Sequence, residues 1–174
     1  MATSLAVSLT LILKAAYDAR ASGVELSVPT ETLNQSLGDT LSEGQGLDKA
    51  QSVWSNSFAA SDAGTTIDVF GGITDVFGNA LSMDQIKGLL IHNTSTSTGD
   101  YVDVFGAAIG NNVAFISGET NTVRVYPDGI LLMWAPGAAA DCPTATAGGF
   151  DEILVTAAGG RAPTIEIVVI GENN

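Results

Sequence analysis

The sequence predicts an all-β protein: a β-sandwich of jelly-roll-like or other Greek-key arrangement, preceded by an N-terminal extended arm. Three observations lead to that expectation. Short runs rich in Val, Ile and Leu with a period of two recur at roughly ten-residue intervals, and amphipathic helical periodicity is almost absent. Twenty glycines and many Ser, Thr and Asn residues punctuate those runs. A chain of 174 residues is long enough to bury a core as one domain plus an arm.

Residues 1–49 read as the N-terminal strand and arm, and residues 50–174 as the sandwich body. From Ser4 to Lys14 the alternation is strict, with Leu5, Val7, Leu9, Leu11 and Leu13 on one side. The run carries no preceding positive charge, as a signal peptide would. Lys14 ends it after about nine residues, where a membrane span needs roughly twenty. Ala15 to Ala21 is expected to form a short helix stopped by Ser22-Gly23, and Val24 to Val28 to be extended before Pro29. Thr30 to Lys49 is polar with isolated leucines at Leu33, Leu37, Leu41 and Leu47. A weakly structured linker is expected there.

In the body, Ser52 to Phe58 reads as a strand, and the Ala60 to Gly64 turn is expected to close a hairpin with Thr65 to Phe70. Gly71 to Asn79 reads as a loop around two apolar anchors. Asp-Val-Phe-Gly occurs at Asp68, Asp75 and Asp103, but its unequal spacing argues against a structural repeat. Ile86 to Ile91 is apolar on both alternating faces, which predicts a central strand covered on both sides. Tyr101 to Phe105 is expected to be its pair, with Asn93 to Asp100 projecting between them as an exposed Ser/Thr-rich loop. Val113 to Ile116 is a further short run. Thr122 to Tyr126, Pro127-Asp128-Gly129 and Ile130 to Trp134 carry the sharpest hairpin signal, with Gly129 expected to take positive φ. Gly137 to Gly149 reads as a loop, Glu152 to Thr156 as a strand, Ala157 to Pro163 as a turn and Thr164 to Ile170 as an interior strand.

Six Lys and Arg against nineteen Asp and Glu give a formal charge of -13, which repels a polyphosphate backbone and argues against nucleic acid as a partner. The single cysteine, Cys142, precludes an intramolecular disulfide. It forms the sole possible Cys/His dyad with His92, and no nucleophile-elbow pattern accompanies either residue. His92 is expected to be a strand-end histidine bonded to backbone, and Cys142 a small apolar filler. Asp100 with Asp103, or Asp141 with Asp151 and Glu152, supply oxygens of the kind calcium takes, but no Asp-x-Asp-x-Asp-Gly loop is present. Paired carboxylates near turns, Asp100, Asp103, Glu119 and Asp128, are the type glycoside hydrolysis uses, yet sequence spacing does not set their separation. No glycine-rich phosphate cradle occurs. No catalytic residue, metal or cofactor is assigned. Trp54, Tyr101, Tyr126 and Trp134 are expected as core or interface anchors, with a sugar-stacking platform as the competing reading.

Several segments together resemble small virion structural proteins of tailed bacteriophages. They are Trp54 with the Ala59-Ala60-Ser61 turn, the Ile73 to Asn79 loop leading into Ile86 to Ile91, Tyr126-Pro127-Asp128-Gly129-Ile130-Leu131-Leu132, and Ile165 to Gly171. The resemblance implies a non-enzymatic capsid decoration (cement) protein, a homotrimer on the major capsid protein lattice, assembled in the host cytoplasm and carried on the virion exterior. It implies neither a membrane nor a nucleic-acid partner, and it carries no active-site residues. The residues expected to mediate interaction are Leu5, Val7, Leu9, Leu11 and Leu13 on the arm, and Thr96, Asp100 and Tyr101 at the loop. The alternatives are a tail tube, collar or fibre-associated subunit, and a carbohydrate-binding module using Tyr101, Tyr126 or Trp134.

Overall fold

The computed structural model describes residues 5–17, 31–75, 77–105, 113, 122–138 and 141–173, with backbone and pairing alone described over 12–17 and 31–38. Among these residues the regular structure is strand throughout, and the fold is an all-β sandwich. One four-stranded antiparallel sheet runs in the order β11 (Ile130–Trp134), β8 (Gln85–Asn93), β13 (Thr164–Glu172), β4 (Ser52–Ala59). The other runs β10 (Val123–Val125), β9 (Val102–Val104), β12 (Glu152–Ala157), β5 (Thr65–Asp68). Sequence neighbours therefore occupy matching places in the two orders: β11 with β10, β8 with β9, β13 with β12, and β4 with β5.

The inner faces meet in one core. Leu89 and Ile91 of β8 and Ile165, Ile167 and Val169 of β13 cluster with Ile67, Val102, Val104, Val125, Ile153 and Val155 of the opposite sheet. At ~1.5–3 kcal/mol per fully buried large aliphatic side chain, this cluster is the main stabilising element of the body. β8 lies between β11 and β13, as its two-sided apolar pattern predicts.

Three expected pairings are corrected by this topology. The Ala60–Gly64 turn does not close a hairpin, because β4 pairs β13 while β5 pairs β12. Tyr101 to Phe105 does not pair with β8, since β9 lies in the other sheet. The Pro127-Asp128-Gly129 turn is present, with the Gly129 N–H donating to Tyr126 O at 2.9 Å, but it links β10 to β11 across the two sheets. In that turn Asp128 takes the left-handed conformation (φ 58°) in place of Gly129. The common reason is that each run is apolar on one face only or very short, so burial between two sheets outweighs pairing with the sequence neighbour. Between the sheets' connections, Gly71 to Asn79 is partly a small hairpin of β6 (Phe70–Thr74) and β7 (Ala80–Ser82). Ile73 is buried there and Phe77 is 86% exposed.

The N-terminal region also departs from expectation. β1 (Ala6–Tyr17) continues through Ala15, Ala16 and Tyr17, which are extended where a helix was expected. Thr30 to Lys49 is not a weakly structured linker: it contains β2 (Glu31–Glu43), antiparallel to β1, and β3 (Lys49–Ala50), parallel to β2. Register places Val7 opposite Leu41, Leu11 opposite Leu37 and Ala15 opposite Leu33. The leucines that look isolated at intervals of four are thus even-spaced positions on one strand face. Val24 to Val28 and Ala114 to Ile116 lie outside the described residues.

The base of this β1–β2 ribbon packs on the outer face of the β8-containing sheet. Leu41, Ala50 and Ile170 are buried together, with Leu5, Val7, Trp134 and Val168 against them. The Trp134 indole N–H donates to Asp39 Oδ2 at 2.7 Å, fixing β2 over β11. Gly88 lets the Trp134 ring lie close, since a Cβ there would sit 3.1 Å from its atoms. At the C-terminal end of β13, register slips between Ile170, opposite Gly88, and Gly171, opposite Ile86. Lys87 is the residue left over, and a β-bulge forms. A Cβ on Gly171 would come within 2.7 Å of Gln85 O and 2.9 Å of Met83, so Gly171→Ala is expected to destabilise by about 1–3 kcal/mol in urea denaturation.

Candidate functional site

Asn93, the last residue of β8, is fully buried and organises the loop that follows it. Its Nδ2 donates to Asp100 O at 2.6 Å and Val125 O at 3.3 Å, and its Oδ1 accepts from Ser95 N at 3.1 Å. Ser95 Oγ then donates to Asp100 Oδ2 at 2.7 Å, and Arg161 Nη1 donates to Asp100 Oδ1 at 2.6 Å and Thr98 O at 3.0 Å. Thr94 donates through both N–H and hydroxyl to Thr164 O, and Asp128 N donates to Ser95 O at 2.8 Å. Gly99 adopts φ +86° beneath the Arg161 guanidinium. The Ser/Thr-rich loop expected to be exposed is therefore exposed at Thr96, Ser97 and Thr98 and closed internally by hydrogen bonds.

The Asp100 carboxyl titrates below its ordinary 3.8, first because the Ser95 hydroxyl donates to it and then because Arg161 does. Depression of a folded-state carboxyl value means its contribution is present above the unfolded value and is lost as pH falls through the folded one. Ser95→Ala and Arg161→Ala are each expected to raise the Asp100 midpoint, which carboxyl NMR titration checks; a midpoint unmoved by Ser95→Ala would show that the hydroxyl does not hold the carboxylate.

Tyr101 stands beside this loop. Its ring lies 6.3 Å from that of Tyr126 at an interplanar angle of 54°, and Arg124 Cζ sits 3.8 Å over its centroid. Arg124 is held there by Asp103 through two 2.8 Å hydrogen bonds, and its guanidinium is pushed further toward the charged form by that carboxylate. Tyr126 is 64% exposed. Trp134 is in the other sheet beneath the ribbon, so Tyr101, Tyr126 and Trp134 do not form one platform.

The arm residues fall on the ribbon. Leu5 and Val7 pack on the body, Leu9 is half-buried beside them, and Leu11 is 47% exposed. The side chain of Leu13 lies outside the described residues, though register places Leu13 opposite Gln35. Thr96, Asp100 and Tyr101 are brought together at the loop; the arm residues form a separate surface.

Among the described residues His92 meets carboxylates and not the backbone that was expected. Its Nδ1 faces Glu166 Oε2 at 3.4 Å and its Nε2 faces Asp128 Oδ1 at 3.8 Å, because cross-strand register puts Glu166 of β13 directly opposite. Cys142 sits near Gln85 and Lys87 at the other end of β8, about 17 Å from His92 by strand rise, so the two do not meet. Burial pushes the Cys142 thiol up, against the opposing influence of Lys87.

Sequence reasoning missed a wholly buried charged group. Lys87 is wholly buried and lies 3.0 Å from Glu172 Oε1. Its ammonium also donates to Gly137 O, Gly46 O and Gln85 Oε1, while Glu172 Oε2 accepts from Gly46 N at 2.8 Å. This cluster joins the turn after β2, the start of β8, the Gly137 loop and the end of β13. The signal was a lysine inside a strand apolar on both faces, a position where an ammonium needs a buried partner. Among the described residues no group of three or more His, Cys, Asp or Glu is placed to hold a metal, and no helix is long and apolar enough to cross a membrane. No family model matches the chain, and searches of curated proteins and of solved structures return no match.

Proposed function

We propose that this chain is a non-enzymatic structural component of a tailed-bacteriophage particle, and within it a decoration protein on the capsid exterior. The observation that carries the reading is the combination of an acidic antiparallel sandwich with a two-stranded ribbon whose Leu5, Val7 and Leu41 pack on it. We read the two four-stranded sheets as jelly-roll-like, an arrangement used by capsid proteins and lectins alike, so fold analogy supports the reading without assigning it. A charge of -13 suits a surface turned away from packaged DNA. Many weak contacts to a repeating lattice of major capsid protein add through multivalency, so no single interface need be large.

Locating and counting the chain in purified particles by immunogold labelling and quantitative mass spectrometry tests the proposal. Hundreds of copies spread over the head are expected. Label confined to the tail or collar would favour the tail-subunit alternative, and absence from particles would overturn both. The carbohydrate-binding reading is weaker, because Arg124 occupies one face of Tyr101 and Trp134 is bonded beneath the ribbon.

A further inference from the structure

β4 forms one edge of its four-stranded sheet, and among the described residues no strand pairs with its far side. Register, with the 2.9 Å bond from Ala60 N to Pro163 O, fixes which peptide groups face β13: those of Trp54, Asn56 and Phe58. The N–H and C=O groups of Val53, Ser55, Ser57 and Ala59 therefore point away from β13. The Ser57 N–H agrees, since it donates to Asn56 Oδ1 at 2.8 Å and not to β13. Val53 is 41% exposed, and Ser55, Asn56, Ser57 and Ala59 are exposed too.

Edge strands are ordinarily kept from further pairing by shortness, charge, proline or a bulge. β4 uses none of these. It is eight residues long, against five, four and three for the edge strands β11, β5 and β10. From Gln51 to Ser61 there is no charged residue, proline or glycine. The strand also reads alike in both directions about Asn56, with Ser55 and Ser57, Trp54 and Phe58, and Val53 and Ala59 at equal distances. The nearest charges beyond it are opposite in sign, Lys49 before and Asp62 after.

We propose that two copies of this chain pair through β4, antiparallel about a two-fold axis at Asn56, joining their sheets into one of eight strands. A two-fold contact needs a surface complementary to itself, and the palindromic strand supplies it. Ser55 of each copy exchanges backbone hydrogen bonds with Ser57 of the other, and Val53 does so with Ala59. Trp54 comes opposite Phe58 twice, a favourable aromatic cross-strand pair. Both rings already rest half-buried on the sandwich core, and pairing covers the remainder. The Ser57 N–H passes from Asn56 Oδ1 to Ser55 O of the second copy, and the two Asn56 amides meet at the axis. The occupant is a second copy because of this symmetry and because the charges permit it. A net charge of -13 opposes contact between charged surfaces, but this strip is uncharged, and antiparallel pairing sets Lys49 of each copy toward the end that carries Asp62 of the other. The exposed Glu166 carboxylates stand three strand spacings apart, about 14 Å, beyond a Debye length of about 8 Å. The inference goes beyond the proposed function and does not rest on it.

The purified full chain, with no particle present, tests it. Sedimentation velocity is expected to show a dimer whose fraction rises with concentration. Asn56→Cys sets a thiol opposite itself in a non-hydrogen-bonded pair, where Cα atoms lie about 4.5 Å apart, within disulfide range. Mild oxidation is expected to link that variant into covalent dimers, at least about tenfold faster than Ser57→Cys, which faces Ser55, or the unaltered chain with Cys142 alone. Ser55→Lys with Ser57→Lys sets lysine against lysine and is expected to be monomeric, as is Ser55→Glu with Ser57→Glu. An equimolar mixture of the two is expected to dimerise again. These side chains are exposed and their peptide groups do not bond β13, so an unchanged circular dichroism spectrum is expected throughout. A monomeric unaltered chain, a dimer that survives the double lysine change, a mixture that stays monomeric, or equal cross-linking at positions 56 and 57 would each overturn the proposal.

Discussion

Glu172→Ala is expected to cost about 3–5 kcal/mol, read as a lowered denaturant midpoint at unchanged slope, because it strands the Lys87 ammonium inside the protein without its carboxylate. Lys87 is fully buried and Glu172 is 1% exposed, so solvent does not screen the pair. The remaining partners of Lys87 are the Gly46 and Gly137 carbonyls, the Gln85 amide oxygen and the Cys142 sulfur, and none carries a full negative charge. The lost carboxylate also frees Gly46 N–H, loosening the turn that leads from β2 to β3. Lys87→Met with Glu172→Leu is expected to recover most of the loss, since a buried ion pair costs desolvation that an apolar pair does not. A Glu172→Ala cost below about 1 kcal/mol would mean that water reaches the ammonium, in conflict with its burial.

Asn93→Ala is expected to destabilise by about 1.5–4.5 kcal/mol, the sum of three hydrogen bonds each worth roughly 0.5–1.5 kcal/mol net. The loss has a local signature as well. Without the side chain, Asp100 O and Val125 O lose a donor and Ser95 N–H loses its acceptor, so the loop is no longer tied to β8 and β10. Amide exchange at Ser95, Ser97 and Asp100 is expected to accelerate well beyond the global change, while exchange in β13 follows stability alone. Equal acceleration everywhere would show that Asn93 acts on the core and not on the loop.

How much of this was legible beforehand differs between periodicity and pairing. Strand positions such as Ile130–Trp134 and Thr164–Glu172 follow from alternation and turn residues, which are local properties. Pairing is not local. Tyr126-Pro127-Asp128-Gly129 makes the same turn whether its flanking strands share a sheet or pass between two, so its chemistry could not distinguish a hairpin from a crossover. β2 was hidden because Glu31 to Glu43 is polar on one face and its leucines gain meaning only when β1 lies opposite. At the loop, Thr96, Asp100 and Tyr101 were named from a Ser/Thr-rich link between apolar runs. Arg161, more than sixty residues away in sequence, was not, because only the fold carries it to Asp100.

The place of β13 also sets the order of events during synthesis. Among the described residues it is the last of the eight sandwich strands, yet it lies in the middle of its sheet, with β8 on one side and β4 on the other. Until Thr164–Glu172 emerges from the ribosome, those two strands have no partner between them, and Lys87 has no carboxylate to meet. A nascent length that includes β4 and β8 but not β13 thus presents unpaired edges, the condition in which strands are captured by the wrong neighbour. The β11-β8-β13-β4 sheet therefore closes late, and a nascent chain stalled before β13 is expected to be protease-sensitive around β4, which pairs only β13 in its sheet.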